Sequence, residues 1–270
     1  MKKIVVFVYT KGMGSGHLTR INAIYKGFVR AKIKCDFYAC VYRSKYKDLL
    51  SPEIKVTKKN DFPPEIDIFI CDWRADDYIN KLNPNLSKNW IGIRRLGTIK
   101  STFPKHFFII SIEPEVKGDV CIWPIISTWQ DELVDRSELN RVLKVSSKTK
   151  VVLLCENGAY EKHIDSVFDQ EVQKGFKIFK CSNSEYSVKK RHLNYYPVAK
   201  LFKAANRLVL GAGYNSFHEA LSYADLKNVR FINVGGDDQK IRIGKIDTWE
   251  KGRGSQAHLL AKFLYNRLIN

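Results

Sequence analysis

The sequence predicts an α/β protein made of two successive units, each with a parallel β-sheet covered by helices. Apolar runs of strand length alternate with segments of helical periodicity along the chain, which is the pattern of parallel strands joined by crossover helices. The alternation is interrupted once, by a proline-bearing apolar bridge from Val120 to Thr128. We therefore predict two domains, residues 1–125 and 126–270.

The composition is that of a globular chain. The protein has 270 residues, of which 44% are hydrophobic and 12% aromatic. This composition excludes a disordered chain, and the length is sufficient for two small domains. No uncharged apolar run approaches the roughly 18 residues needed to span a bilayer. The six cysteines form no C-x-x-C pair, and we expect reduced thiols in a cytoplasmic protein, with peripheral membrane association as an alternative.

The predicted elements of the first unit follow from its apolar pattern. Ile4 to Tyr9 is uninterrupted and predicts a buried first strand. Apolar residues spaced three or four apart then form one face of a helix between Leu18 and Phe28. The remaining strands are predicted at Cys35 to Val41, Ile66 to Cys71, Trp90 to Ile93 and Phe107 to Ile112.

The second unit is predicted to begin with a capped helix. Asp135 and Glu138 have the spacing of residues that satisfy amide groups at a helix start, and this helix should reach about Val145. The later strands are predicted at Val151 to Cys155, Lys177 to Cys181, Leu208 to Leu210 and Val229 to Val234, and the later helices at Tyr160 to Lys174, from Ser216 onward, and at Ser255 to Leu268.

The net charge is the unusual part of the composition. Lys and Arg exceed Asp and Glu by 46 − 28 = +18, a charge that favours anionic partners such as nucleic acid, lipid headgroups or phosphorylated substrates. The alternative is a lysine-rich surface that only reflects residue usage.

The first strand runs into a glycine-rich turn and then directly into a helix. Gly12, Gly14 and Gly16 occupy alternate positions, with Ser15 between the last two and Arg20 in the helix. Such glycines let a backbone approach a ligand closely, and the helix start behind them favours anions. The segment predicts a phosphate or acceptor loop, and the alternative is a tight turn with no ligand.

His17 lies in the first turn of that helix. The helix dipole and Arg20 both oppose its protonation, so a neutral imidazole is expected at pH 7. A neutral histidine beside an anion-binding loop can accept a proton from an attacking hydroxyl. We predict His17 as the general base, and the alternative is a histidine that only hydrogen-bonds its own loop.

A second glycine-rich turn follows the strand at Leu208 to Leu210. Gly211 and Gly213 precede a helix that carries Asn215, Ser216 and Glu219. The functional interpretation is a diphosphate site at the helix start, with Glu219 accepting hydroxyl hydrogen bonds from a ribose. The alternative is a capping box formed by Ser216 and Glu219.

A third segment of this kind, Asn157-Gly158-Ala159, follows the strand at Val151 to Cys155. It is a further candidate for phosphate contact.

Four segments in this order resemble the GT-B glycosyltransferases, and in particular those of the glycosyltransferase family 28 type. They are Gly14-Ser15-Gly16-His17-Leu18-Thr19-Arg20, Trp123-Pro124-Ile125, Asn157-Gly158-Ala159 and Gly211-Ala212-Gly213-Tyr214-Asn215-Ser216-Phe217-His218-Glu219-Ala220. The resemblance implies two Rossmann-like domains facing a cleft. Residues 1–125 would bind the acceptor and residues 126–270 the nucleotide sugar.

The resemblance also implies roles for single residues. His17 matches the general base, Gly14 and Gly16 the glycine loop, and Glu219 the ribose-binding carboxylate. Residues that match the donor site are Gly158, Ala159, Gly213 and Ser216. Asp238 and Gln239 resemble the acidic and amide pair that contacts sugar hydroxyls, and their alternative is a polar loop.

The resulting functional hypothesis is an inverting glycosyltransferase that uses a nucleoside diphosphate sugar, with a UDP-sugar as the expected donor. No D-x-D sequence occurs, so no obligatory metal is expected. The acceptor is a hydroxyl compound, with an anionic lipid at a membrane surface and a nucleic acid bearing a hydroxylated base as alternatives. A nucleotide-sugar hydrolase of the same fold and a non-catalytic nucleotide-sugar-binding subunit remain open, and the sequence predicts no oligomeric state.

Overall fold

The computed structural model describes most of the chain. The described residues are 3–11, 15–42, 47–72, 77–98, 102–155, 175–181, 192–193, 195–233 and 236–269. The chain divides into two compact units, Met1–Ser127 with Ser255–Asn270, and Thr128–Gly254. None of the described helices has the length and apolar character needed to cross a membrane.

The first unit is built on a seven-stranded sheet. Its strands are β1 Ile4–Lys11, β2 Cys35–Tyr42, β3 Lys55–Thr57, β4 Ile66–Cys71, β5 Ser87–Arg94, β6 Phe107–Ser111 and β7 Val120–Cys121. Their order is β3-β2-β1-β4-β5-β6-β7, and every pairing is parallel. The α-helices in the described part of this unit are α1 Ser15–Arg30, α2 Asp77–Asn80 and the C-terminal helix described below.

The central strands are apolar because both of their faces are covered. All six residues of β4 are buried, as expected for an inner strand of a parallel sheet. Its one charged residue, Asp67, accepts a hydrogen bond from the Val5 amide at 2.9 Å and lies 3.2 Å from the Lys88 ammonium. On α1, Leu18 and Phe28 are buried, which confirms the predicted apolar face of this helix.

The C-terminal helix belongs to the first unit, which corrects the predicted range 126–270. It spans Ala257–Ile269 and packs on α1 so closely that a Cβ added to Gly27 would lie 2.2 Å from the Ala257 carbonyl oxygen. Phe263 also packs against Phe108 of β6, with ring centroids 5.6 Å apart. Periodicity predicts the helix but not its partner, because its apolar face could cover either sheet.

The second unit contains a five-stranded parallel sheet. Its strands are β8 Val151–Cys155, β9 Lys177–Cys181, β10 His192–Leu193, β11 Arg207–Gly211 and β12 Val229–Ile232, in the order β10-β9-β8-β11-β12. Among its described residues, the α-helices are α3 Arg136–Leu143, α4 Tyr214–Tyr223 and α5 Asp237–Gly244, and the C-terminal helix is numbered α6. The predicted cap is confirmed, since the Asp135 carboxylate accepts the Glu138 amide at 2.9 Å. The helix predicted at residues 160–174 lies outside the described residues.

Both sheets have a point at which the strand order reverses. In the first sheet it lies between β1 and β4, and in the second between β8 and β11. Connections leave such neighbouring strands toward opposite faces of the sheet, so a crevice opens beyond their carboxyl ends, where α/β proteins bind ligands. The predicted α/β class with two parallel sheets is confirmed. The candidate positions for a ligand-binding site are therefore the segments after β1, β4, β8 and β11.

Candidate functional site

Three charged or titratable side chains meet at the reversal point of the first sheet. His17 lies in the first turn of α1, and Asp72 directly follows β4. The His17 Nδ1 atom is 3.2 Å from Asp72 Oδ2. Arg20 donates from Nε to Asp72 Oδ1 at 2.9 Å and from Nη2 to Asp72 Oδ2 at 2.9 Å. All three residues are buried, with exposed fractions of 9, 3 and 2% for His17, Asp72 and Arg20.

The backbone of Asp72 is fixed to the end of β1. Its amide donates to the Tyr9 carbonyl at 2.9 Å, and its carbonyl accepts the Thr10 hydroxyl at 3.1 Å. Two hydrogen bonds from the neighbouring strand thus hold the residue that orients His17. This placement is a consequence of the parallel pairing of β1 with β4.

The ionisation of Asp72 is decided by its partners. Burial raises the pKa of the carboxyl, but the charge of Arg20 and the contact with His17 outweigh burial and lower that pKa to about 2. Asp72 is therefore a carboxylate at neutral pH. A buried carboxylate of this kind requires its cation, because an unpaired charge in the interior is strongly unfavourable.

The imidazole is neutral at neutral pH. Burial lowers the pKa of His17 below its ordinary 6.5; Asp72 opposes this shift, and the charges of Arg20 and Arg95 add to it. The sequence-based expectation of a neutral imidazole agrees with this direction. The largest cause is burial, however, whereas the expectation rested on the helix dipole and on Arg20, whose charge contributes less than burial.

The same geometry offers His17 two tautomers. Arg20 Nη2 is 3.0 Å from His17 Nδ1, and Asp72 Oδ2 is 3.2 Å from that nitrogen. A protonated Nδ1 donates to Asp72 and leaves a lone pair on Nε2, whereas an unprotonated Nδ1 accepts from Arg20 and leaves the proton on Nε2. Only the first tautomer is a base at Nε2, and Arg20 permits it because its Nη2 also reaches Asp72.

The other residues predicted around the first turn have different outcomes. Gly12 and Gly14 lie outside the described residues, while Ser15 begins α1 and Gly16 follows it. The guanidinium of Arg20 is buried and donates to Asp72, and its place in the phosphate loop stays a prediction. Sequence reasoning missed Asp72, although a single acidic residue at the carboxyl end of a buried strand was an available signal.

In the second unit, the glycine-rich turn and α4 form the corresponding feature. Gly211 ends β11, and Gly213 is the N-cap of α4. The first intrahelical hydrogen bond runs from the Phe217 amide to the Gly213 carbonyl at 3.0 Å. The helix thus begins at Tyr214 rather than at Ser216, which sits in the third helical position. The capping-box alternative is therefore wrong, because it required Ser216 to be the N-cap.

Glu219 lies one turn further along α4 and is only 5% exposed. One carboxylate oxygen accepts the hydroxyl of Thr128 at 3.1 Å. The carbonyl of Thr128 in turn accepts the Tyr223 hydroxyl at 2.6 Å. Asn215 lies in the first turn of the same helix and is half-buried.

Asp238 and Gln239 follow β12 in the first turn of α5, whose N-cap is Gly236. Asp238 is not simply a polar loop residue, because its Oδ2 accepts Arg242 Nη1 at 2.7 Å. Arg242 is fully buried and also donates to the Ala212 carbonyl in the glycine-rich turn at 3.3 Å. Sequence reasoning missed Arg242, which its spacing of four residues from Asp238 could have indicated.

Arg242 thus ties the start of α5 to the turn before α4 and connects two of the predicted donor segments within the second unit. The third donor segment, Asn157 to Ala159, lies outside the described residues.

Among the described residues, no group of three or more His, Cys, Asp and Glu side chains could hold a metal ion. The expected independence of metal stays a prediction.

Comparisons with known proteins give a distant likeness. No family model matches the sequence, and no curated protein sequence is significantly similar to it. Among solved structures, the chain is similar to AviGT4, a glycosyltransferase involved in avilamycin A biosynthesis, with a TM-score of 0.43 and 9% identity over 99% of this chain and 98% of that one. It is also similar to the ADP-heptose lipopolysaccharide heptosyltransferase II of E. coli, with a TM-score of 0.42 and 12% identity over the same shares.

Proposed function

We propose that this protein is an inverting, metal-independent glycosyltransferase that moves a sugar from a nucleoside diphosphate sugar, with a UDP-sugar as the expected donor, to a hydroxyl acceptor. The observation that carries the proposal is the contact between His17 and Asp72 beside Arg20 at the reversal point of the first sheet. A buried, neutral histidine whose Nδ1 faces a carboxylate is arranged as a general base.

The reaction assigns one proton transfer to His17. The acceptor hydroxyl gives its proton to Nε2 while its oxygen forms a bond to the anomeric carbon of the donor. The bond from that carbon to the diphosphate breaks, and the electron pair leaves with the phosphate oxygen. Throughout the step, Asp72 accepts a hydrogen bond from the Nδ1–H group, which stabilises the imidazolium that forms. A single displacement of this kind inverts the anomeric configuration.

The donor is assigned to the second unit. The amides at the start of α4 lie at the reversal point of the second sheet, where a helix N-terminus stabilises the charge of a departing diphosphate without a metal. Glu219 is assigned to the ribose hydroxyls, and Asp238 with Gln239 to the sugar. Asn157, Gly158 and Ala159 complete the donor loop on the strength of the sequence resemblance.

The acceptor is assigned to the first unit and is expected to carry negative charge, because the chain has a net charge of +18. Anionic lipid and nucleic acid are the two acceptor classes. A cytoplasmic location, with or without association at a membrane surface, fits both classes.

A nucleotide-sugar hydrolase is the second candidate, because the His17–Asp72 pair would activate a water molecule as well as a hydroxyl. The two functions differ in one measurable respect. A hydrolase releases free sugar from the donor alone at a rate that added acceptors leave unchanged, whereas a transferase requires the acceptor.

The first experiment identifies the nucleotide. Purified protein with a chelator is titrated with UDP, GDP, CDP, TDP and ADP, and its thermal unfolding is followed. A ligand at about 100 times its dissociation constant adds roughly 2.7 kcal/mol of apparent stability. Stabilisation by one nucleotide selects the donor class, and stabilisation by none contradicts the assignment of a donor site to the second unit.

The second experiment separates binding from chemistry. We expect His17→Ala to lower turnover by about a hundredfold or more and to leave nucleotide affinity unchanged, because His17 belongs to the other unit. Glu219→Gln should instead weaken nucleotide binding. His106→Ala is the matched control, since this exposed histidine of the first unit packs its ring against Trp90 and Phe107 and is not among the residues assigned to the site. Loss of both nucleotide binding and turnover in His17→Ala would refute the role given to His17.

A further inference from the structure

We propose that the second unit carries a docking pocket for the phosphate-bearing headgroup of an anionic lipid, separate from the donor site. The pocket lies beyond the C-terminal end of α4 and has a volume of about 580 Å³, within the range of pockets that accept small ligands. This inference does not depend on the proposed reaction. It concerns where the protein rests on a surface, not which bond it makes.

The lining of this pocket combines apolar and cationic side chains. Leu133, Leu221 and Leu226 contribute apolar surface, and all three are buried or half-buried. Lys203, Lys227 and Lys251 also line the pocket and are exposed. A lining that combines apolar side chains with three exposed lysines matches a ligand that is anionic at one end and apolar at the other.

The cations are available to such a ligand. Within the described part of the chain, Lys203 and Lys227 have no carboxylate within ion-pair distance. Lys251 lies 3.8 Å from Asp247, whose side chain is 96% exposed, and a pair this exposed to water is weak. The pocket therefore presents positive charge that an anion can neutralise.

The single carboxylate among the lining residues is already engaged. Asp225 accepts the Lys227 amide through Oδ1 at 3.2 Å and the Asn228 side-chain amide through Oδ2 at 3.0 Å. These bonds hold it as the cap of the short turn that follows α4. Three lysines against one committed carboxylate leave the pocket cationic, and the carbonyl of Leu221 at the helix end is taken by the Gly252 amide at 2.9 Å.

The pocket is distinct from the proposed donor site because α4 separates the two. The donor site is assigned to the start of this helix at Tyr214, and the pocket begins at Leu221 near its end. The ten residues of α4 span about 15 Å at the usual rise per residue. A ligand at one end does not occupy the other.

The test measures partition of the full chain onto vesicles of phosphatidylcholine alone and of phosphatidylcholine with phosphatidic acid. One variant carries Lys203→Glu, Lys227→Glu and Lys251→Glu. The matched control carries Lys144→Glu, Lys148→Glu and Lys150→Glu, which are exposed lysines of the same unit outside the pocket. Each triple variant lowers the net charge equally, from +18 to 18 − 6 = +12, so general electrostatic attraction falls by the same amount in both.

Binding to phosphatidic acid vesicles should fall by about a hundredfold in the pocket variant, because each lysine near an anionic surface contributes roughly fivefold to the affinity. The control should fall by no more than about threefold. Equal losses in the two variants, or no binding by the unsubstituted protein, would overturn the proposal. Competition by inorganic phosphate at millimolar concentration would overturn the choice of a lipid and identify a site for soluble phosphate instead.

Discussion

Replacing Asp72 by Asn tests the buried cluster on which the proposed chemistry depends. The substitution keeps the shape of the side chain and removes the charge that Arg20 contacts at 2.9 Å through both Nε and Nη2. Arg20 is only 2% exposed, so its charge would be left buried without a counter-charge. Breaking a buried pair in this way costs about 3 to 5 kcal/mol of the free energy of unfolding.

The pKa of Asp72 gives an independent magnitude. It falls from the ordinary 3.8 to about 2, which corresponds to roughly 2 kcal/mol of stability that depends on ionisation. Because the folded-state pKa is depressed, this stability is present above pH 3.8 and is lost as the pH falls through about 2. The difference in free energy of unfolding between the unsubstituted protein and the Asp72→Asn variant should therefore be largest at neutral pH and should shrink in strong acid.

The assay is urea unfolding at a series of pH values, with hydrogen exchange of β1 and β4 to locate the effect in the first unit. Asp36→Asn is the matched control. Asp36 lies 2.9 and 2.8 Å from Lys3 and Lys55, whose side chains are 57 and 54% exposed, so its loss should cost less than about 1 kcal/mol. Equal costs for the two variants, or a difference that does not diminish in acid, would refute the reasoning.

Two further predictions concern packing and pH. Gly27→Ala should destabilise the first unit by about 1 to 3 kcal/mol or more, because its Cβ would lie 2.2 Å from the Ala257 carbonyl oxygen. Thermal unfolding measures this loss of stability. The control is Gly244→Ala, whose Cβ meets nothing within 4 Å and which should show no such loss. Turnover should decline in acid only below pH 6.5, because burial lowers the pKa of His17 and a base must be unprotonated. A pH profile of kcat/KM with its acid limb above 6.5 would contradict the assignment of His17 as the base.

The sequence was most informative where a residue's role is set by its neighbours along the chain. Asp135 was identified as a helix cap from its spacing to Glu138, and the structure has that hydrogen bond. The same local reasoning misplaced the start of α4, because Ser216 and Glu219 have capping-box spacing while the chain already turns helical after Gly213. Local patterns therefore located this helix approximately, and the backbone conformation decided at which residue it begins.

The parts of the candidate site that the sequence left undetected are those made by distant segments. Asp72 is 55 residues from His17, and the two meet because β4 pairs with β1 on one side while it pairs with β5 on the other. Arg242 reaches the Ala212 carbonyl across 30 residues for a similar reason.

The sequence by itself determined the α/β class, the two parallel sheets and the position of His17 at the start of a helix, because each depends on periodicity or on adjacent residues. Only the tertiary structure decided which carboxylate faces His17 and which cation accompanies it. It also decided which unit receives the C-terminal helix, since an apolar helical face carries no information about which of two apolar sheets it covers. Strand order and burial determine these contacts, because they bring together residues that are far apart in the sequence.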